Sequence, residues 1–247
     1  MNLRQFENLI HRKLISLGWF VQRVYPSAGG WLSDRAYWQP EYVKRLGFQP
    51  ATLIDVGVAR GTPELYAAFP NAYLLLIEPL QEFTADIASL LAARPGAHFP
   101  VALGCEPGER EIRIEPRRTP RSSFYTRHPL EQSGDAPILR RVPVETLDRV
   151  IASASCPRPF GLKIDAEGAE LDILRGAAST LADTQFIISE VSVLNRFDGS
   201  YRFASFIAEL DSLGFEVCDI LGIGRADSSH VTFFDLVFER KRTAPAI

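Results

Sequence analysis

Apolar residues fall in short blocks along this chain, and the spacing within the blocks changes. Over residues 2–24, Leu3, Phe6, Leu9, Ile10, Leu14, Leu17, Phe20, Val21 and Val24 recur at helical spacing. This predicts an amphipathic helix, ended by Pro26 and the Gly29-Gly30 pair, whose other face is mostly basic. From residue 51 the period alternates. Strands are predicted at 51–56, 73–78, 97–103, 159–165, 185–190, 215–221 and 231–239, and helices at 61–69, 80–93, 168–182 and 201–213. The last helix keeps Phe203, Phe206, Ile207, Leu210 and Leu213 in phase before Gly214 stops it. Strands alternating with helices call for a doubly wound, mostly parallel α/β sheet covered on both faces. The connection 222–230 has no helical pattern and is short enough for the last two strands to pair antiparallel.

Residues 104–145 break the alternation. Glu109–Ile114 alternates like an edge strand or hairpin arm. An irregular stretch follows that carries Arg117, Arg118, Arg121, Ser122, Ser123, Arg127 and His128. The plain reading is a solvated surface loop; the sharper one is a lid facing an anionic or sugar-bearing substrate.

Composition narrows the classes. The 247 residues are 46% hydrophobic and 23% charged, with a net charge of −3. That suits one α/β domain, placed at 49–242, behind a helical extension at 1–48. No basic excess marks a nucleic-acid partner. Cys105, Cys156 and Cys218 form no close pair, which argues against a disulfide framework or zinc site and for a cytoplasmic setting. No apolar run is long enough to span a bilayer, and no signal peptide is evident. The 2–24 helix is expected to pack over the sheet or against a second copy in a homodimer. Peripheral membrane contact and substrate gating are the alternatives.

Two clusters carry the chemistry. In Thr52–Gly61 an apolar strand runs into Asp55, Gly57 and Gly61, and the next strand ends at Glu78, 23 residues after Asp55. An acid at that strand tip can accept hydrogen bonds from the two hydroxyls of a ribose. A dinucleotide site would need a third glycine where Ala59 stands, and Asp55 is poorly placed beside a pyrophosphate. A phosphate-free nucleoside with an amino group, S-adenosylmethionine, fits better. The bland reading is that Asp55 caps a helix and the glycines only turn the chain.

The second cluster is Gly161–Glu170. Its strand ends at Asp165, and the following strand ends at Glu190. Two acids at neighbouring strand tips can orient a hydroxyl or act as a general base. Two oxygen ligands are too few to assign a metal. Glu167 and Glu170 are read first as partners of the helix dipole. His128 and His230 are alternative bases, each read first as a surface histidine.

Asp55-Val56-Gly57, Ile77-Glu78-Pro79, Val101–Gly104, Ser122-Ser123, Val144–Asp148, Lys163–Glu170, Gly176-Ala177, Ser189–Ser192 and Asp235–Phe238 together resemble the FkbM-type S-adenosylmethionine-dependent methyltransferases. The resemblance runs from about Leu53 to Glu239 and leaves out residues 1–48. It implies a seven-stranded class I methyltransferase sheet with an antiparallel last strand. It also implies O-methylation of a small-molecule or glycan hydroxyl, on a sugar or polyketide-type product. Asp55, Gly57 and Gly61 would then meet the methionine portion, Glu78 the ribose, and the Ala102-Leu103 backbone the adenine. Asp165 and Glu190 would carry the catalytic role. The rival readings are an NAD-dependent oxidoreductase or epimerase and a non-catalytic nucleotide-binding adaptor.

Overall fold

The computed structural model describes residues 32–34, 37–128, 136–225 and 230–241; the predicted 2–24 helix lies outside them. Strand β1 (Leu32–Asp34) and helix α1 (Pro40–Arg45) precede β2 (Thr52–Val56), α2 (Pro63–Ala68), β3 (Tyr73–Ile77), α3 (Thr84–Ala92) and β4 (Gly96–Phe99). The chain then makes β5 (Ala102–Leu103), β6 (Gly108–Ile114), β7 (Thr126–Arg127), β8 (Ile138–Glu145) and α4 (Leu147–Ser153). The second half runs through β9 (Phe160–Ile164), α5 (Glu170–Arg175), α6 (Ala178–Ala182), β10 (Thr184–Ser192) and β11 (Phe197–Asp198). It ends with α7 (Phe203–Ser212), β12 (Phe215–Arg225) and β13 (Val231–Arg240).

The main sheet has the order β1-β12-β13-β10-β9-β2-β3-β4. Strands β4, β3, β2, β9 and β10 are parallel to one another, and β13 runs antiparallel between β10 and β12. Together with β12 these make the expected seven strands, with the last one reversed; β1 adds an eighth at the edge. The reason is in the residues. Leu53 and Ile54, adjacent in β2, are both fully buried on opposite faces, as a sheet covered on both sides requires.

Three boundaries differ from the periodicity. The predicted 97–103 strand divides at Pro100, and β5 leaves the main sheet to pair with β8. The predicted 168–182 helix breaks at Gly176, where a Cβ would overlap the Gly104 carbonyl, so α5 and α6 are separate. The 104–145 region contains β8, which pairs antiparallel with β6 and makes Glu109–Ile114 the predicted hairpin arm.

Residues 37–48 pack on this domain. Val43 is fully buried, Trp38 Nε1 donates to Asp235 Oδ2 at 2.7 Å, and Phe48 stacks on Phe186 at 4.6 Å between centroids. Phe186 can lie flat because its partner across the parallel pair is Gly161, where a Cβ would overlap the ring. Gly161→Ala is therefore expected to destabilise the fold by about 1–3 kcal/mol. In a protein of this size that lowers Tm by roughly 2–4 °C per kcal/mol. An unchanged Tm would mean that Phe186 and Phe48 move aside at no cost.

Candidate active site

Parallel pairing sets β2, β3 and β9 side by side, so their C-terminal ends form one rim. Such rims hold ligands in open α/β sheets. The cleft above it is lined by Gly57, Ala59, Glu78, Ala102, Leu103 and Asp165, together with Phe83, Thr119, Ser122, Phe124 and Glu167.

The turn after β2 is shaped by a close approach. Gly57 has φ +72°, and a Cβ there would overlap the Asp165 carbonyl. Its amide donates to Ile77 O at 3.0 Å, and Asp165 N donates to Val56 O at 3.1 Å. Glu78, 5% exposed, turns back under this turn. Its Oε2 accepts from Ala59 N and its Oε1 from Leu80 N, both at 3.0 Å. Burial raises its pKa, and those two amides and the Lys163 charge oppose the rise.

Asp55 lies elsewhere. It is fully buried within β2 and does not line the cleft. Its Oδ1 lies 3.0 Å from Lys163 Nζ, and its Oδ2 accepts from Thr62 Oγ1 at 3.2 Å and from the Tyr66 hydroxyl. The carboxylate therefore sits beneath the turn rather than in the open site. Gly61, at φ +92°, packs against Leu90 and Tyr66 and is also outside the lining.

At the tips of β9 and β10, Asp165, Glu167 and Glu190 each place one carboxylate oxygen within 4.8 Å of the others. Asp165 is the open member, with its side chain one-third exposed. Glu167 is held by Arg127 at 2.8 Å and lies 3.5 Å from Arg196; Arg196 also grips Glu190 at 2.5 Å. Both guanidiniums lie over the Phe197 ring, and Arg196 also over Phe233. Burial pushes Glu167 up, but the two arginines outweigh it and hold its pKa below the usual carboxylate range. Burial pushes Glu190 well up, against Arg196 and with the help of Asp165 and Glu167.

The 115–128 segment closes over these acids. Ser123 Oγ donates to Glu167 O at 2.6 Å, and β7 pairs with β11. Thr119, Pro120, Ser122 and Phe124 of this segment line the cleft, so it is a lid at least in position. His128 is half-buried, with its amide donating to Arg196 O at 2.8 Å; His230 is exposed, and neither lines the cleft.

Periodicity missed Lys163, Arg127, Arg196 and the position of Glu167. Lys163 had a signal, as a lone charge inside an apolar strand. Arg196 had none, because neither periodicity nor a strand end marks it, although Glu190 stands six residues before it.

A five-stranded parallel run extended by an antiparallel strand, with a cleft at the strand tips and an acid at the end of β3, is the class I methyltransferase type of α/β domain. Residues 55–217 match the model of the methyltransferase FkbM domain. The chain belongs to that family of S-adenosylmethionine-dependent methyltransferases, and S-adenosylmethionine is the cofactor of its domain. A curated relative is the hexuronic acid methyltransferase AglP of Haloferax volcanii. It is 26% identical over 141 residues, 56% of this chain and 55% of the relative, so the chain spans about half that relative's length. Among solved structures, a putative O-methyltransferase from Klebsiella pneumoniae aligns with TM-score 0.46 and 12% identity, over 95% of this chain and 89% of that one. Magnesium protoporphyrin IX methyltransferase from Synechocystis PCC 6803 aligns with TM-score 0.45 and 8% identity, over 82% and 76%. Among the described residues no helix is long and apolar enough to cross a membrane.

Two expectations follow. Glu170 caps the turn before α5, accepting from Ala166 N at 3.0 Å and Gly168 N at 3.1 Å, and burial pushes its pKa up to about 7. The folded protein thus holds this proton more tightly than the unfolded chain does. Its contribution is full below about pH 4.5 and is lost as pH rises towards 7. The stability of wild type relative to Glu170→Gln should fall by roughly 1.4 kcal/mol per pH unit across that window; a difference constant with pH would refute this.

The second concerns metal. Arg127 and Arg196 already neutralise two of the three clustered carboxylates. A hard divalent cation would have to compete with both guanidiniums for these acids. Methyl transfer is expected to survive exhaustive EDTA treatment, and loss with rescue by Mg²⁺ would make these acids ligands instead.

Proposed function

We propose that the protein is an S-adenosylmethionine-dependent O-methyltransferase that acts on a hydroxyl of a sugar or glycan. The observation that carries this reading is the position of Glu78 and Asp165 in one cleft, on the tips of the two strands that flank β2. The name of the relative AglP, a hexuronic acid methyltransferase, favours a sugar over a polyketide-type acceptor. The arginine-rich 113–127 segment beside the cleft suits an acidic sugar.

When bound, the cofactor would supply an electrophilic methyl group on a sulfonium, to be exchanged for the proton of the acceptor hydroxyl, which is released to solvent. The residues of the chain would align the two partners. Each Glu78 oxygen accepts one backbone N–H and can accept a second donor, which suits two ribose hydroxyls. The Ala102-Leu103 backbone would line the adenine, and Gly57 would let the methionine portion approach the turn. Asp55 would act from behind that turn, through Lys163. Asp165 would accept the hydrogen bond of the attacking hydroxyl. A carboxylate is a weak base towards an alcohol, so orientation and charge stabilisation would contribute more than early proton removal. Glu190, gripped by Arg196, would fix the charge around Asp165.

Asp165→Asn tests this. Asparagine keeps the shape and one acceptor oxygen but loses the charge. Affinity for S-adenosylmethionine should change by less than about tenfold. Single-turnover transfer to a hexuronic acid or its glycoside should fall by roughly 10²- to 10⁴-fold. Undiminished transfer would make Asp165 structural, and a collapse of cofactor binding would move it into the cofactor site.

A further inference from the structure

Central strands of parallel sheets read as near-continuous apolar runs, because both faces are covered. Strand β9 obeys this except at Lys163. Its neighbours Leu162 and Ile164 are fully buried, and Lys163 itself is only 5% exposed. A buried ammonium persists only where its charge and its three N–H donors find partners.

The partners of Lys163 lie on both sides of the site. Nζ is 3.0 Å from Asp55 Oδ1 and donates to Gly57 O at 3.1 Å. It also lies 3.8 Å from Asp165 Oδ2. Asp55 alone would neutralise the charge, so the contact with Gly57 is additional. Gly57 is the residue in left-handed conformation at the apex of the turn. Its amide is held by Ile77 O from β3, and its carbonyl is held by Lys163 from β9. The turn is clamped between the two strands that flank β2. The same ammonium faces the open carboxylate on the acceptor side, and its charge reaches Glu78.

We propose that Lys163 is a positioning residue: it clamps the Gly57 turn from below and links that turn to Asp165, so that the cofactor and acceptor halves of the site are held as one unit. This rests on the reading that the cofactor lies over Gly57–Ala59. The competing account is that Lys163 merely neutralises Asp55.

The two accounts part in the double variant Lys163→Met/Asp55→Asn. Methionine fills the channel of the lysine stem, and asparagine removes the charge that would otherwise be stranded. If Lys163 only balances Asp55, the double variant recovers both Tm and affinity for S-adenosylmethionine. If Lys163 clamps the turn, the double variant folds with a Tm within a few degrees of wild type but binds S-adenosylmethionine at least tenfold more weakly by calorimetry. Wild-type affinity in the folded double variant overturns the proposal.

Glu78→Ala, measured alongside, reports on the placement of the cofactor itself. Loss of a charge-assisted ribose contact should weaken binding by roughly 10- to 150-fold. Unchanged binding there removes Glu78 from the site, while the fate of Lys163 is decided by the double variant. Should the double variant not fold, the unmodified protein decides. The chain has four lysines, Lys13, Lys44, Lys163 and Lys241. In a ¹⁵N-lysine spectrum the buried Lys163 ammonium is shielded from solvent exchange. Its resonance should shift on addition of S-adenosylmethionine, and an unmoved resonance refutes the clamp.

Discussion

The site depends on how closely the turn after β2 approaches the tip of β9. Asp165 donates its amide to Val56 O, and its carbonyl occupies the space that a side chain on Gly57 would need. Parallel pairing from Thr52–Phe160 to Val56–Ile164 sets the register of this contact. A slip of one residue would turn Asp55, Lys163 and their apolar neighbours to the wrong faces. The apolar faces of the sheet therefore decide more than stability: they decide which carboxylate is buried beneath the turn and which one opens to the cleft.

Charge is handled differently on the two sides of that contact. Beneath the turn, Asp55 is neutralised by Lys163 and satisfied by Thr62 and Tyr66. Above the rim, Glu167 and Glu190 are compensated by Arg127 and Arg196, each guanidinium resting on an aromatic face. Arginine suits this place because its planar group stacks and forks at once. Asp165 keeps a third of its side chain exposed. Pairing of the surrounding acids leaves one carboxylate open at the position where a hydroxyl would be oriented.

Much of the architecture is legible in the order of residues. Leu53-Ile54, Leu74–Ile77 and Phe186–Ile188 announce buried strands because both faces of a parallel sheet are apolar, and Glu78 and Asp165 stand out as acids ending such runs. What periodicity cannot supply is contact across long separations. Asp55 looked like a ligand-facing acid because nothing local shows that Lys163, 108 positions later, lies against it. Arg127 reaches Glu167, 40 positions later, where β7 pairs with β11 and brings it beside Arg196. Strand β8 escaped notice because its outer residues Ile138 and Leu139 are exposed and Arg140 and Arg141 follow, so no alternation stands out.

The anchors of the lid bear on how this scaffold can be altered. Ser123 bonds the backbone of the Asp165–Gly168 loop, and Arg127 joins Glu115 to Glu167. The short stretch between Glu115 and Ser123 reaches the cleft through Thr119, Pro120 and Ser122, and none of those three supports the sheet. This part of the cleft wall is thus physically separable from the sheet that carries the Gly57 turn. A lid of different length or chemistry could be grafted between Glu115 and Ser123, and the graft would inherit its mooring from the host rather than having to bring one.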